Sequence, residues 1–541
     1  FAGMFDLNGY NQEVAGLQGD GGSINNGAFE NKTLTVNQAA NTTYGGQVNG
    51  NVTLRKKGAG RLVFTAVNSH RGGTVIEAGT LAISQTSSLG YTSLAFRADA
   101  LRFAGGTLET TATTSLGANS GVTLETAGGT IATASGTTFS IESAVTGSGS
   151  LTKTDTGTLA LNSTSNDYTG ATNIVAGSLL AGAANTLSPT SRVVITGDTV
   201  SGTLNLNGFS QTIGSLASTG AVQSNATVIL GASTLSVGGD STTDAVYAGG
   251  ITGSGVFRVN TLGAQTLSTV DHSAQTWSTE IANGMLSVIN DGKLGSGDIT
   301  LGVASVTGAD DMTVLNLQGN TLANNVIVNN TNSAGISVIQ STVTDSAIAG
   351  NVTLNRDTIV GVQALTGLVL GGANVVSGAG RITMVDGGNL LLSGNNTYAS
   401  GVSASAGALI DGGTVVRSGR IEVGHNNALG SKHVELGDTR TVMSTLIDRA
   451  TTASLTLGTG TYNETGGAFQ SGTFTGVSAT VDGHTYTAGD VGKVILVKNE
   501  EANPGRNGIY TIVSVSGGTM ELVRHEAFDQ PSEMNYGTQF T

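Results

Sequence analysis

Six histidines (His70, His272, His425, His433, His484, His525) and a few acidic pairs are the residues of this 541-residue chain whose types could carry chemistry. A zinc site would need HExxH or paired histidines with cysteine partners; the chain has neither pattern and no cysteine at all. His425 and His433 lie near each other in sequence, and His433-Val-Glu435 places two polar side chains on one strand face, which reads as an exposed corner. Asp310-Asp311, in GADDMT, would suit a hard cation, but no spaced acidic loop with glycine and a terminal glutamate follows, so a solvated turn is expected. Asp240-Ser241 contains the Asp-Ser pair of some serine hydrolases. It reads GGDSTT, without the following glycine or a histidine context, and is rejected as a nucleophile. The GxG pairs (Gly58/Gly60, Gly253/Gly255, Gly458/Gly460) never complete GxGxxG before a helix and are corner glycines. Asn-x-Thr sites at Asn41, Asn51 and Asn351 are expected by chance in so Asn/Thr-rich a chain. No catalytic, metal-binding or cofactor-binding residue is therefore expected, and no cofactor.

The elements that would position any such residue are short strands. In Leu151 to Ser188 (LTKTDTGTLALNSTSNDYTGATNIVAGSLLAGAANTLS), Leu159 and Leu161 alternate with small residues, a polar corner follows over Asn162 to Asp167, and Tyr168, Thr172 and Ile174 resume the strand pattern before Gly177 and Leu179. Such a piece cannot bury its apolar edge alone and needs copies stacked on it. Copies are present. Lys56 to Gly90 repeats the pattern with Leu62, Phe64, Val75, Ile76, Gly79, Leu81 and Leu89-Gly90. Gly387 to Leu409 does so with Leu390, Leu392, Asn396, Tyr398, Gly401, Gly407 and Leu409. A degraded copy over Gly263 to Gly295 keeps Leu267, Ile281, Gly284, Leu286 and Leu294-Gly295, with Trp277 near the tyrosine position. A second motif, FDLNGYNQEVAGL at Phe5–Leu17 and TLNLNGFSQTIGSL at Thr203–Leu216, returns weakly at Val314–Val328. Together they predict four degenerate super-repeats of roughly a hundred residues.

TGTLALNSTSNDYTGATNIVAGSL closely resembles the autotransporter-associated β-strand repeat, and LNLNGFSQTIGSL resembles the element that precedes it. The resemblance covers about residues 5–437. It implies an all-β chain wound as a right-handed parallel β-helix, a β-solenoid, displayed on the surface of Gram-negative bacteria. It specifies fold and display better than activity, since the family includes adhesins, enzymes and toxins. A lysine before the motif is read as shared by two copies (Lys57, Lys153) and replaced by Asp386 in the last, with no function attached.

Composition agrees with a solenoid. Glycine, 82 residues without a G-X-Y period, excludes collagen, and 38% hydrophobic content excludes wholesale disorder. Coils of roughly 20–25 residues predict some 18–22 coils and a rod on the order of 90–100 Å. Residues 91–150, rich in Thr, Ala, Ser and Gly, continue the winding with thin side chains, where stacked Thr and Asn ladders would satisfy one another. Residues 297–380 read as further coils. A net charge of −14 makes nucleic acid a poor partner and favours solubility. No apolar run approaches the ~18 residues of a membrane span. The chain opens on Phe1 without a signal peptide and no outer-membrane barrel follows, so a processed passenger, a fragment or export by another route is expected.

The predicted solenoid domain covers residues 1–449. From 450 to 541 the super-repeat is gone, charge is denser and Pro504 and Pro531 appear. Val494–Val497 and Ile509–Ile512 flank a Pro-Gly and Asn-Gly loop, predicting a hairpin. This small β module resembles one found in phage tail fibres and in very large bacterial surface proteins, through Val494–Val497, Asn507-Gly-Ile-Tyr510 and Arg524 to Phe528-Asp529. GTQFT ends as if in mid-strand, which predicts a truncated module.

The expected function is that of a non-enzymatic, extracellular or cell-surface structural and adhesive protein: a rigid rod whose polar faces make weak multivalent contacts with surface glycans or other cells. Its strand edges would allow self-association, head-to-tail into fibres or laterally. The alternatives are a carbohydrate-active β-helix (lyase or hydrolase), which would need converging carboxylates, and a phage-type receptor-binding fibre.

Overall fold

A computed structural model describes residues 3–240, 245–290, 292–303, 312–330, 335–371, 375–398, 413–430, 434–436, 447–450, 460–465, 468–481, 484–491, 493–497 and 508–524. Two compact units divide the chain: residues 1–414 with 419–434, and residues 415–418 with 435–541.

The first unit is a parallel β-solenoid, and the chain winds through about 17 turns. Strands of two to seven residues, with two longer ones at Val256–Ser268 and Ser278–Ile289, alternate with glycine- and asparagine-rich corners, because three or four alternating residues bury one thin edge and the next corner must change direction. One winding runs Val52–Lys57, Arg61–Phe64 and Ser69–His70; the next begins at Thr74–Ile76 and Thr80–Ile83. Every strand pairing described in this unit is parallel, each strand lying between its counterparts in the coils before and after. Among the described residues coil length is not uniform. Neighbouring coils are bonded across 20 residues at Asn68 but across 31 at Asn389 and Arg420.

The core is a set of side-chain columns. One runs Leu62, Leu81, Leu108, Ile131, Lys153, Ile174, Ile195 in unbroken register, and every member is buried. A second runs Val36, Lys56, Ile76, Phe103, Leu124. A fully buried aliphatic member contributes ~1.5–3 kcal/mol, and parallel register sets inward side chains of successive coils directly on one another. A third column, Tyr44, Phe64, Ile83, Thr110, Thr133, corrects the expected threonine ladders. Thr110 and Thr133 are fully buried and neither hydroxyl has a hydrogen-bond partner. Ladder bonds do form, between Thr126 and Ser148 at 3.4 Å within residues 91–150 and between Thr313 and Ser337 at 3.0 Å beyond them.

The second unit is mainly antiparallel. Val494–Val497 pairs with Gly508–Ser516, Leu496 opposite Ile509, as the hairpin pattern predicts. Its core gathers Val477, Tyr486, Ile495, Tyr510, Ile512, Met520 and Leu522. No helix of the described residues is long and apolar enough to cross a membrane.

Candidate functional site

The side chains that recur at fixed places in the repeat serve the winding itself. Asn68, Asn166 and Asn396 each open an Asn-x-(His/Tyr) corner. The amides of Val48, Val145 and Val376, one coil earlier, donate to their Oδ1 atoms at 2.8, 2.7 and 2.8 Å. Their Nδ2 groups donate to the carbonyls of Ser88, Thr186 and Ala428, one coil later, at 2.7, 2.6 and 2.7 Å. One buried amide thus satisfies a donor and an acceptor that a corner leaves off the strand ladder. In the degraded copy Gln275 keeps the accepting half, receiving the Gly253 amide at 3.2 Å.

The next-but-one residue fills the corner's interior. Tyr168 and Tyr398 are buried with their hydroxyls 2.7 and 2.5 Å from Thr172 and Thr414 Oγ1. His70 takes this place in the first copy, its Nε2 3.0 Å from Thr74 Oγ1. Trp277 takes it in the degraded copy, donating from Nε1 to the Ile251 carbonyl at 3.1 Å. Burial pushes the Tyr168 and Tyr398 pKa values up to about 12 and lowers that of His70 to about 4, so all three are neutral near pH 7.

The lysine reading needs correction. The buried counterpart of Lys153 is Lys56, and Lys57 is exposed; four residues on from each counterpart stands a glycine, Gly60 or Gly157, and in the last copy Gly388, so the third position is Met384 and not Asp386. The choice between adjacent lysines turns on strand phase, since Lys56 points inward in Val52–Lys57 and Lys57 outward. Lys56 Nζ donates to the carbonyls of Lys57, Gly58 and Ala78 at 3.0, 2.8 and 3.2 Å. Lys153 Nζ donates to those of Thr154, Asp155 and Ala176 at 2.6, 2.7 and 3.2 Å. Three ammonium protons meet three carbonyls, two from their own corner and one from the next coil. Removal from water lowers both pKa values to about 8. Gly177 closes this cage at φ 69°, where a Cβ would sit 2.4 Å from the carbonyl oxygens of Asp155 and Gly157.

The remaining candidates among the described residues do not converge. His272 is buried, Nδ1 2.8 Å from the Lys293 carbonyl, with its ring edge-on to Trp277; burial lowers its pKa. His425 is exposed and accepts the Asn427 amide, and the ring of His484 stands edge-on to Tyr486 at 4.8 Å. Asp240 accepts the Ser215 hydroxyl at 2.8 Å. Ser241, Asp310, Asp311, His433 and His525 lie outside the described residues. Among the described residues no three His, Cys, Asp or Glu side chains are grouped to hold a metal ion. Several carboxylates are engaged by arginines of other coils: Glu77 by Arg55 at 2.6 Å, Glu109 by both Nε and Nη2 of Arg61 at 2.7 Å, Glu125 by Arg102, and Glu280 by Arg258 at 2.6 Å.

Comparison with known proteins agrees with this architecture. Residues 54–83, 151–188 and 382–410 match the passenger-associated-transport-repeat family, and they carry the three asparagine corners or the strands leading into them. The chain resembles autotransporter passengers. It is 30% identical over 294 residues to the adhesin BmaC autotransporter of Brucella suis biovar 1 (strain 1330), an overlap of 52% of this chain and 8% of that protein. No solved structure matches significantly.

Proposed function

We propose that this chain is a non-enzymatic scaffold displayed outside the cell, holding adhesive surfaces at fixed spacing, with residues 1–449 as the scaffold and 450–541 as a separate module. The observation that carries this reading is the registered column from Leu62 to Ile195, a core filled coil upon coil with side chains. Such a core gives stiffness. The arginine-paired carboxylates support the same reading, because a glycosidase or lyase needs acids free to exchange protons with substrate. Similarity to an adhesin over about half the chain supports attachment to cells or surfaces as the output. Weak contacts repeated along a stiff stack would add through effective concentration.

The test is attachment. Beads coated with the full 541-residue chain should bind cultured host cells or abiotic surfaces several-fold above beads carrying an unrelated β-solenoid of similar charge. Equal attachment would overturn the reading, as would turnover of a polysaccharide abolished by changing one or two carboxylates. Fibre formation is a finer proposal, resting on the open strand edges of any parallel stack; sedimentation at rising concentration that shows only monomer would remove it.

A further inference from the structure

Among the described residues most aromatic side chains are buried; of the six exposed ones (Phe5, Tyr10, Phe29, Tyr91, Phe96 and Phe209), Phe29 stands at 102% of its reference area and Tyr91 at 48%. Phe29 and Tyr91 sit on corners of the same edge of the solenoid and rim a groove of about 250 Å³, whose floor is Asn26, Gly50, Asn51 and Ser69. The corners are fixed from within. Asn51 Nδ2 donates to the carbonyls of Ala28 and Phe29 at 3.1 Å, the Arg71 amide to Gly50 at 2.9 Å, and the Tyr91 amide to His70 at 2.9 Å.

Arg71 supplies the charge. Its guanidinium carbon lies 5.3 Å above the Tyr91 ring, and among the described residues it has no ion-pair partner, whereas Arg55, Arg61, Arg97 and Arg102 each have one. A stacked guanidinium leaves its N–H fork free in the plane, the geometry that grips a carboxylate at two points. The acids around the groove are engaged: Glu30 holds Lys32 at 2.7 Å, and Asp6 accepts the amides of Asn8 and Gly27. In a chain of net charge −14 this is a local cation with aromatic walls and a polar floor. The Asn26 amide, Asn51 Nδ2 and the Ser69 hydroxyl proton are already bonded within the chain, so the floor offers a ligand chiefly the acceptor oxygens of Asn51 and Ser69, and a neutral ligand would leave the guanidinium fork unused. A sugar ring fits both surfaces, its C–H face on the aromatic wall and its hydroxyls on the floor.

We propose that the groove between Phe29, Arg71 and Tyr91 binds a saccharide bearing a carboxylate, with Arg71 gripping the acid and the aromatic rings stacking on the sugar. This deepens the adhesive reading above and rests on it.

Titration calorimetry on the full chain tests it with two acidic probes, 3′-sialyllactose and tetragalacturonate, each against its uncharged counterpart, lactose and the tetragalacturonate methyl ester. Binding of either acidic probe at least tenfold tighter than its neutral partner is expected, and the responding arm separates a sialic acid from a uronic acid. Arg71→Met and Tyr91→Ala should each weaken binding at least tenfold, with Arg71→Lys between wild type and Arg71→Met. Both residues are surface groups, and the Arg71 variants alone suffice should Tyr91→Ala fold poorly. No binding of either acidic probe, equal binding of the neutral ones, or indifference to Arg71 would overturn the proposal. Bead attachment run in parallel separates the two ideas: wild-type adhesion that persists in Arg71→Met removes this groove and leaves the adhesive scaffold standing.

Discussion

Met384 stands in its coil where Lys153 stands in an earlier one. Each is buried, each precedes by four residues the glycine of its corner, and each lies beneath a positive-φ glycine of the next coil. A Cβ on Gly177 would sit 2.9 Å from Lys153 Nζ, and one on Gly419 would sit 2.7 Å from Met384 Cε. The repeat therefore accepts at one site either a caged ammonium or an unbranched thioether of similar reach.

That equivalence predicts that Lys153→Met is tolerated, within about 1 kcal/mol of wild type or more stable, whereas Lys153→Ala costs about 2–4 kcal/mol through the cavity it leaves. Urea unfolding midpoints compare the two. The lysines also set a pH dependence. Folded, they lose their protons near pH 8; unfolded, near the ordinary 10.5. Between those values the unfolded chain binds more protons, so stability should rise as pH climbs from 8 to 10.5. The double variant Lys56→Met/Lys153→Met should flatten that rise.

Replacing Asn166 by alanine should be far more costly than its size suggests. It strands the Val145 amide and the Thr186 carbonyl together, at ~1–3 kcal/mol for each buried group left unpaired. Asn166→Asp keeps the acceptor for the Val145 amide but turns an oxygen on the Thr186 and Ser163 carbonyls, so it too should destabilise. Hydrogen exchange at the Val145 amide distinguishes them: fast in the alanine variant, protected in the aspartate one.

Thr110→Val and Thr133→Val should stabilise, by about 1 kcal/mol each, because each hydroxyl is buried without a partner and valine keeps the shape. A fall in unfolding midpoint for both would show that the hydroxyls are satisfied in solution.

His70 gives an acid-side counterpart. Its pKa is about 4 when folded against an ordinary 6.5, so the unfolded chain binds the extra proton between those values. Stability present above pH 6.5 should be lost progressively as pH falls toward 4, by on the order of 3 kcal/mol. His70→Tyr, which restores the residue found at Tyr168 and Tyr398, should remove that dependence. Unfolding midpoints at pH 7 and pH 4.5 report it.

The winding was legible in the sequence because its determinants are periodic: Leu62, Leu159 and Leu390 open like strands, and glycine marks like corners. The interior polar groups were not. Lys56 and Lys57 are indistinguishable until strand phase is known, and His70 conceals its kinship with Tyr168 because aromatic shape and a bond to threonine, not residue type, are what recur. The groove at Arg71 was invisible for a different reason. Phe29, Arg71 and Tyr91 share no motif and are brought together only by stacking successive coils. The expected division at residue 449 and the role of the C-terminal module remain expectations of composition.

The asparagine corners bear on how the stack comes apart. Because Asn68 grips Val48 behind it and Ser88 ahead, a single coil cannot peel away without loosening two neighbours. Around each such corner the smallest piece able to melt independently is thus longer than one winding, and stretches lacking the motif become the natural breakpoints under heat, protease or tension.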